Sequence, residues 1–291
     1  MPALLDEVIE LLKPTDGGIY LDGTLGYGGY SLAILSESSP TGVVYGFDLD
    51  KSAIEVATVR LSEFGDRFRP VHCGYHDAPE ALSDLGISAL DGIALDLGLS
   101  STQIDDPDRG FSFRFEGPLD MRFDTESGLT LMEMLKKIRL SDLEKVLREY
   151  GEERFASRIA KAIIEASRKG TLKTTSDLAD LTARVIPGRR GKIHPATRTF
   201  QGLRIMVNRE LDNLKIALEN LPRLLKAGAR LCVVSYHSLE DRLVKIAFRE
   251  MAKSSVKLRI VTPKPVRPTN EEARSNPRAR SARLRALEAI A

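Results

Sequence analysis

The stretch Gly18-Ile19-Tyr20-Leu21-Asp22-Gly23-Thr24-Leu25-Gly26-Tyr27-Gly28-Gly29-Tyr30-Ser31 decides the fold, because a short apolar run ends in an acid and passes at once into a glycine cluster. It reads as strand, tight loop and helix start. Gly23, Gly26, Gly28 and Gly29 tolerate positive φ angles and leave bare backbone against which a flat ligand can lie. That is a cradle of the nucleotide-binding kind.

Charge selects the ligand. A dinucleotide pyrophosphate wants a helix N-terminus with no anion beside it, yet Asp22 sits at the strand tip, and the glycines are spaced G-x-x-G-x-G-G rather than G-x-G-x-x-G. A carboxylate there suits a cation such as S-adenosylmethionine. A second buried strand, Val43 to Phe47, ends in Asp48, 26 residues after Asp22. An acid at that distance commonly accepts hydrogen bonds from ribose hydroxyls, while Asp50 suits the cap of the next helix, Ser52 to Phe64. Arg67 to Cys73 reads as a third strand, followed by Tyr75, placed either to stack on an adenine ring or to pack as a lid. The fourth strand, Gly92 to Leu95, ends in Asp96. In a doubly wound sheet these tips meet in one crevice, where Asp22, Asp48 and Asp96 favour a cation and repel pyrophosphate.

The pattern then changes. Asp105 to Thr125 mixes charge, glycine and aromatics, and Phe111, Phe113, Phe115 and Phe123 argue for an ordered loop over a solvated linker. Helical signals follow: Leu131 to Ile138, a helix opened by a capping box Ser141-Asp142-Leu143-Glu144, Glu152 to Arg168, and Ser176 to Val185. This predicts an all-helical insert over residues 104–196 in an α/β domain formed by residues 1–103 and 197–291. Thr197 to Leu225 reads as one long helix, Ala229 to Ser235 as a fifth strand, and Val256 to Val261 as a further strand. His237, just past the fifth strand, is placed either to touch substrate or to bind its own backbone.

The 291 residues, 42% hydrophobic and 29% charged, suffice for one large or two ordinary globular domains. No run of eighteen apolar residues and no signal peptide is visible, so the expectation is a cytoplasmic protein without a membrane partner. Cys73 and Cys232 lie in apolar runs and read as buried core thiols, and no metal-ligand spacing is present. The formal charge is only +2, but basic residues crowd Lys257 to Arg285 and the loop Gly188-Arg189-Arg190-Gly191-Lys192. Arg189, Arg190 and Lys192 are candidate contacts to RNA phosphates.

The residues resemble one family along nearly the whole chain: the bacterial 16S rRNA cytosine-N4 methyltransferases, the RsmH or MraW family. The resemblance is carried by Asp22 to Ser31, Asp91 to Gln103, Arg109 to Phe113 with Leu119 to Arg122, His194 to Gln201, Ser235 to Arg242 and Asn276 to Arg285. It implies a class I S-adenosylmethionine-dependent methyltransferase (Rossmann-like) fold with an inserted helical domain. It implies S-adenosylmethionine as donor and a decoding-region cytidine of 16S rRNA, alone or in the small ribosomal subunit, as acceptor. Carried over by position, the cofactor contacts are Gly28, Gly29, Tyr30, Asp48, Tyr75, Asp96 and Gln103, beside Asp22 from the residues themselves. Tyr30 stands where the family usually has His, and Tyr75 where Phe is common. The Pro-Pro-aromatic motif frequent in amine methylases is missing from Asp96-Leu97-Gly98-Leu99. Asp96 or a neighbouring carbonyl is therefore the candidate to hold the amine, with Phe111 or Phe113 stacking the flipped cytosine. Monomer and homodimer both fit this reading. The alternatives are a methyltransferase of another RNA or DNA base, a nucleotide-dependent oxidoreductase and a pure RNA-binding module. Asp22 and the glycine spacing speak against the oxidoreductase, and three acids at strand tips would serve a binding module poorly.

Overall fold

The computed structural model describes residues 2–186, 194–255 and 257–290. The chain divides into two compact units, Met1–Gly98 with Leu211–Ala291, and Leu99–Glu210.

The first unit opens with α1 (Leu5–Leu12), β1 (Ile19–Asp22), α2 (Gly29–Glu37), β2 (Val43–Asp48), α3 (Lys51–Arg60), β3 (Phe68–His72), α4 (Ala78–Asp84) and β4 (Leu90–Asp96). The second unit holds α5 (Ser101–Asp105), α6 (Leu131–Lys137), α7 (Leu140–Glu149), α8 (Ala156–Lys169), α9 (Thr175–Val185) and α10 (Ala196–Asn208). The chain returns to the first unit through α11 (Glu210–Asn220), β5 (Leu225–Ser235), α12 (Ser238–Ser254), β6 (Leu258–Ile260), α13 (Asn270–Ser275) and β7 (Arg283–Ala289). None of the described helices is long and apolar enough to cross a membrane.

The sheet runs β3-β2-β1-β4-β5-β7-β6. The first five of these strands pair in parallel, and β7 lies antiparallel to both β5 and β6. Alternating residues feed opposite cores, as the pleat requires. Tyr20, Val44, Ala94, Cys232 and Val234 pack with Val8, Leu12, Ile34 and Leu35 of α1 and α2. Leu21, Phe47, Ile93, Leu95, Leu231 and Val233 pack with Leu82 of α4, Leu214 and Leu218 of α11, and Phe248 of α12. Asp50 caps α3, its carboxylate accepting from Ser52 N at 3.1 Å.

The helical unit has its own core, in which Leu131, Leu143, Leu147, Ile159, Ile163 and Leu178 are fully buried. Its entry loop is ordered: Arg109 donates to the carbonyls of Arg122 and Phe123, and Asn208 donates to Met121 O while accepting from Phe123 N. Isolated bridging of Pro118 to Thr174 fixes the same loop from the other side.

Several expectations are corrected. The unit boundary falls at residues 98 and 210 rather than 103 and 196, because α10 buries Ala196, Phe200 and Leu203 in the helical core. The expected helix from Thr197 to Leu225 breaks at Arg209, whose φ of 51° is left-handed. Ser141 caps nothing: α7 starts at Leu140 behind Arg139, while α6 and α9 open on capping boxes made by Thr130 with Glu133 and Thr174 with Asp177. The basic segment ending at Arg285 runs into a largely buried strand, β7.

Candidate active site

The chain reverses direction across the sheet between β1 and β4, and in such folds ligands bind at the carboxyl ends beside that switch point. Asp22, Asp48 and Asp96 are the last residues of β1, β2 and β4. The loop after β1 ties the tips together. Gly23 N donates to Ala94 O at 2.9 Å, Gly26 N to Asp48 Oδ2 at 2.7 Å, and Asp96 N to Thr24 Oγ1 at 2.6 Å. Gly28, immediately before α2, has φ 73°, and a Cβ there would sit 2.8 Å from Leu61. Glycine is required on both counts. Gly29 is the first residue of α2.

Each acid has its own bonding. Asp22 is fully buried; its Oδ2 accepts from Ser31 N at 3.1 Å and Ser31 Oγ at 2.7 Å, and its Oδ1 from Thr24 N at 3.3 Å. Burial pushes its carboxyl up to about 6 against those hydrogen bonds, with the Asp48 charge adding to the rise. The carboxylate therefore shapes the loop from inside. Asp48 accepts from Gly26 N through Oδ2 and from Asp50 N through Oδ1, and burial raises its carboxyl as well. Asp96, half-buried, accepts from the Tyr236 hydroxyl through Oδ1 at 2.7 Å. Burial pushes it up to about 7; the Tyr236 bond opposes the rise, and the charges of Asp22 and Glu240 add to it.

Among the described residues no Lys or Arg pairs with any of these carboxylates. Three raised acids without a cation, Asp48 and Asp96 half-buried and Asp22 fully buried behind the loop, set a negative field that fits a ligand bringing its own positive charge, as the sulfonium and ammonium of S-adenosylmethionine do.

Other expected contacts fall differently. Tyr30 is 3% exposed, and its hydroxyl donates to the carbonyl of Ala3, so its side chain is core and only its backbone is left for a ligand. Tyr75 is half-buried after β3, its ring edge-on to His76 at 5.9 Å, and a Cβ on Gly23 would sit 3.0 Å from the Tyr75 Cβ. It thus abuts the glycine loop. Gln103 belongs to the helical unit, where it completes a capping box: its Oε1 accepts from Ser100 N, and its own N donates to Ser100 Oγ. His237 is the N-cap of α12, its Nδ1 accepting from Glu240 N and its Nε2 3.1 Å from Glu240 Oε1.

Phe111 is corrected to core: it is 7% exposed and packs on Phe123 at 5.6 Å, leaving no face for a base. Phe113 is half-buried between His194 at 4.6 Å and Phe200 at 4.9 Å. Arg189, Arg190 and Lys192 lie outside the described residues. Cys232 is buried, and burial pushes its thiol up to about 12, whereas Cys73 stands just past β3 and is only half-buried.

Sequence reasoning passed over Tyr236. Its signal was the pairing of Ser235-Tyr236 at the end of β5 with Asp96 at the end of the adjacent strand, which β4–β5 register makes visible only once the sheet is known.

The strand order with an antiparallel β7 is that of the class I methyltransferases. A ribosomal RNA small subunit methyltransferase H from Trichlorobacter lovleyi is 46% identical over 306 residues, covering 100% of this chain and 98% of that protein. The protein of the same name from Syntrophobacter fumaroxidans is 46% identical over 304 residues, covering 99% and 95%. TrmN from Thermus thermophilus aligns structurally with a TM-score of 0.45 and 14% identity over 99% of this chain and 48% of that one. The sequence profile of the MraW methylase family matches residues 1–290, and with relatives at this identity the chain belongs to that family.

Proposed function

We propose that this protein methylates the N4 amine of a decoding-region cytidine in 16S rRNA, in the cytoplasm, with S-adenosylmethionine as donor. The observation that carries the reading is the set of strand-tip acids Asp22, Asp48 and Asp96, raised by burial and unmatched by any described cation. The relatives' name supports an rRNA of the small subunit as substrate. The N4 position rests on the family resemblance of the sequence blocks.

Asp48 would accept hydrogen bonds from the ribose, and the backbone of Gly28 and Gly29 and the ring of Tyr75 would bound the adenosine. When bound, the donor supplies a methyl carbon made electrophilic by positive sulfur, which departs as a neutral thioether. No enzyme nucleophile is needed, so positioning dominates the barrier. The cytosine N4 lone pair forms the new N–C bond, the S–C pair stays on sulfur, and N4 is left with one proton too many. Asp96, poised near neutrality at the tip of β4, takes that proton. Of the two rings expected to stack the base, Phe113 is the half-buried one and Phe111 is core, and Arg189, Arg190 and Lys192 would contact phosphates.

The test is direct: incubate the purified protein with S-adenosylmethionine and either naked 16S rRNA or small subunits lacking the modification, then digest and analyse the nucleosides by mass spectrometry. N4-methylcytidine at one decoding-region position is the expected product. A methyl group on another base, or on none, overturns the reading, and comparing the two substrates shows which one the enzyme takes.

A further inference from the structure

Asp96 is held by a partner, Tyr236, that takes no part in the bond changes of methyl transfer. Tyr236 follows directly on β5, and its backbone N donates to Glu240 Oε2 at 2.9 Å, as does His237 N at 3.3 Å. That capping box locks the turn into α12. Parallel pairing runs past the strand ends, with Leu97 N donating to Val234 O at 2.9 Å, so the two tips stay in register. The ring of Tyr236 lies over Gly98, whose φ of 121° excludes ordinary side chains and whose Cβ, if present, would come within 3.2 Å of Tyr236 Cδ2. Backbone, ring and hydroxyl are each fixed, and the hydroxyl is aimed at Asp96 Oδ1.

We propose that Tyr236 is the positioning residue for Asp96: it occupies Oδ1 with a fixed hydrogen bond and leaves Oδ2 as the oxygen that takes the amine proton. The inference rests on the assignment of Asp96 as proton acceptor. Oδ2 accepts no hydrogen bond among the described residues. The phenol itself stays a donor, because burial and the Asp96 charge push it well above the usual tyrosine range. In the transfer, one proton passes from N4 to Oδ2, while the Tyr236 proton remains on its oxygen throughout. The bond also favours the ionised carboxylate, which must be the resting form of a base. The other titratable groups facing this pair are Asp22, Tyr30 and Glu240 around Asp96, and Glu272 near Tyr236, all of them acids. Tyr236 is thus the group in this shell that favours ionisation of Asp96.

The sign follows. Removing the hydroxyl raises the Asp96 pKa, so activity that needs the carboxylate is lost at higher pH than before. The experiment measures methyl transfer against pH for the parent, Tyr236→Phe and Asp96→Asn, at saturating S-adenosylmethionine and RNA. For Tyr236→Phe the acidic limb of kcat should move to higher pH by about one to two units, the equivalent of one hydrogen bond to a charged group. KM for both substrates should stay within about threefold, since the hydroxyl serves the reacting state. An unmoved limb with kcat lowered equally at every pH overturns the positioning role and leaves Tyr236 as packing. Asp96→Asn separates the two claims. If that variant keeps the limb and most of its turnover, the proton-acceptor assignment fails. If it loses both while the Tyr236→Phe limb stays put, only the Tyr236 inference fails.

Discussion

Two groups of carboxylates in the sheet unit answer burial in opposite ways. On the flank of β7, Asp241 receives Arg285 Nε at 2.7 Å and Arg283 Nη1 at 3.0 Å, and Glu288 receives Arg230 Nε and Arg259 Nη2, both at 3.0 Å. Burial alone would raise both acids, but the guanidiniums win and hold them below the usual carboxylate range. At the tips of β1, β2 and β4 burial is opposed only by hydrogen bonds while neighbouring acids add to the rise, and all three acids are raised. An acid that serves the fold is given its cation by the chain. On the proposed reading, an acid that serves a cationic ligand is left without a protein cation, and its raised pKa marks the cost.

The sharpest break in that comparison is the loss of turnover at the tip of β4. Asp96→Ala should lower kcat by about 10² to 10⁴, the usual contribution of a positioned base, with a much smaller change in S-adenosylmethionine affinity. Equal losses in the two would make Asp96 chiefly a cofactor ligand.

Asp241→Ala tests the other side. Removing the shared acid strands Arg285, 6% exposed, and Arg283, and should cost about 3 kcal/mol of folding stability in a denaturant titration. The S-adenosylmethionine affinity of the folded fraction should hardly change. A stable variant that binds cofactor poorly would erase the distinction between the two groups.

Asp48→Ala sharpens the contrast within the crevice. Loss of ribose hydrogen bonds should weaken S-adenosylmethionine binding by about 1.5 to 3 kcal/mol, read by calorimetry. Some loosening of the loop is expected too, because Gly26 N loses its acceptor. Unchanged affinity would leave Asp48 with the loop alone.

The two groups also differ in how far they were legible in the sequence. β1, β2 and β4 could be read because apolar runs ending in Asp, with glycine behind, are local signals, and Asp50 as a cap is equally local. β7 could not, because Arg283 and Arg285 in Arg283-Leu284-Arg285-Ala286 look like surface until Asp241, more than forty residues away, neutralises them. Arg209 hid a helix break, since neither glycine nor proline marks it. Phe111 looked like a stacking ring because an aromatic in a charged loop carries no sign of which face it turns to the core. The side-chain placements of Tyr30 and Tyr236 are illegible for the same reason: their hydroxyls answer to Ala3 and Asp96, partners 27 and 140 residues distant.

The central claim, that the strand-tip acids await a cation, is tested most directly by counting protons. S-adenosylmethionine is titrated calorimetrically into the protein at about pH 6.5 in buffers of different ionisation heat, where carboxyls raised to about 6 and about 7 are partly protonated. A cation entering the crevice lowers those pKa values, so binding should release a measurable fraction of a proton to the buffer, and Asp96→Asn should release less. A binding heat that is independent of the buffer, or that reports proton uptake, would contradict the account.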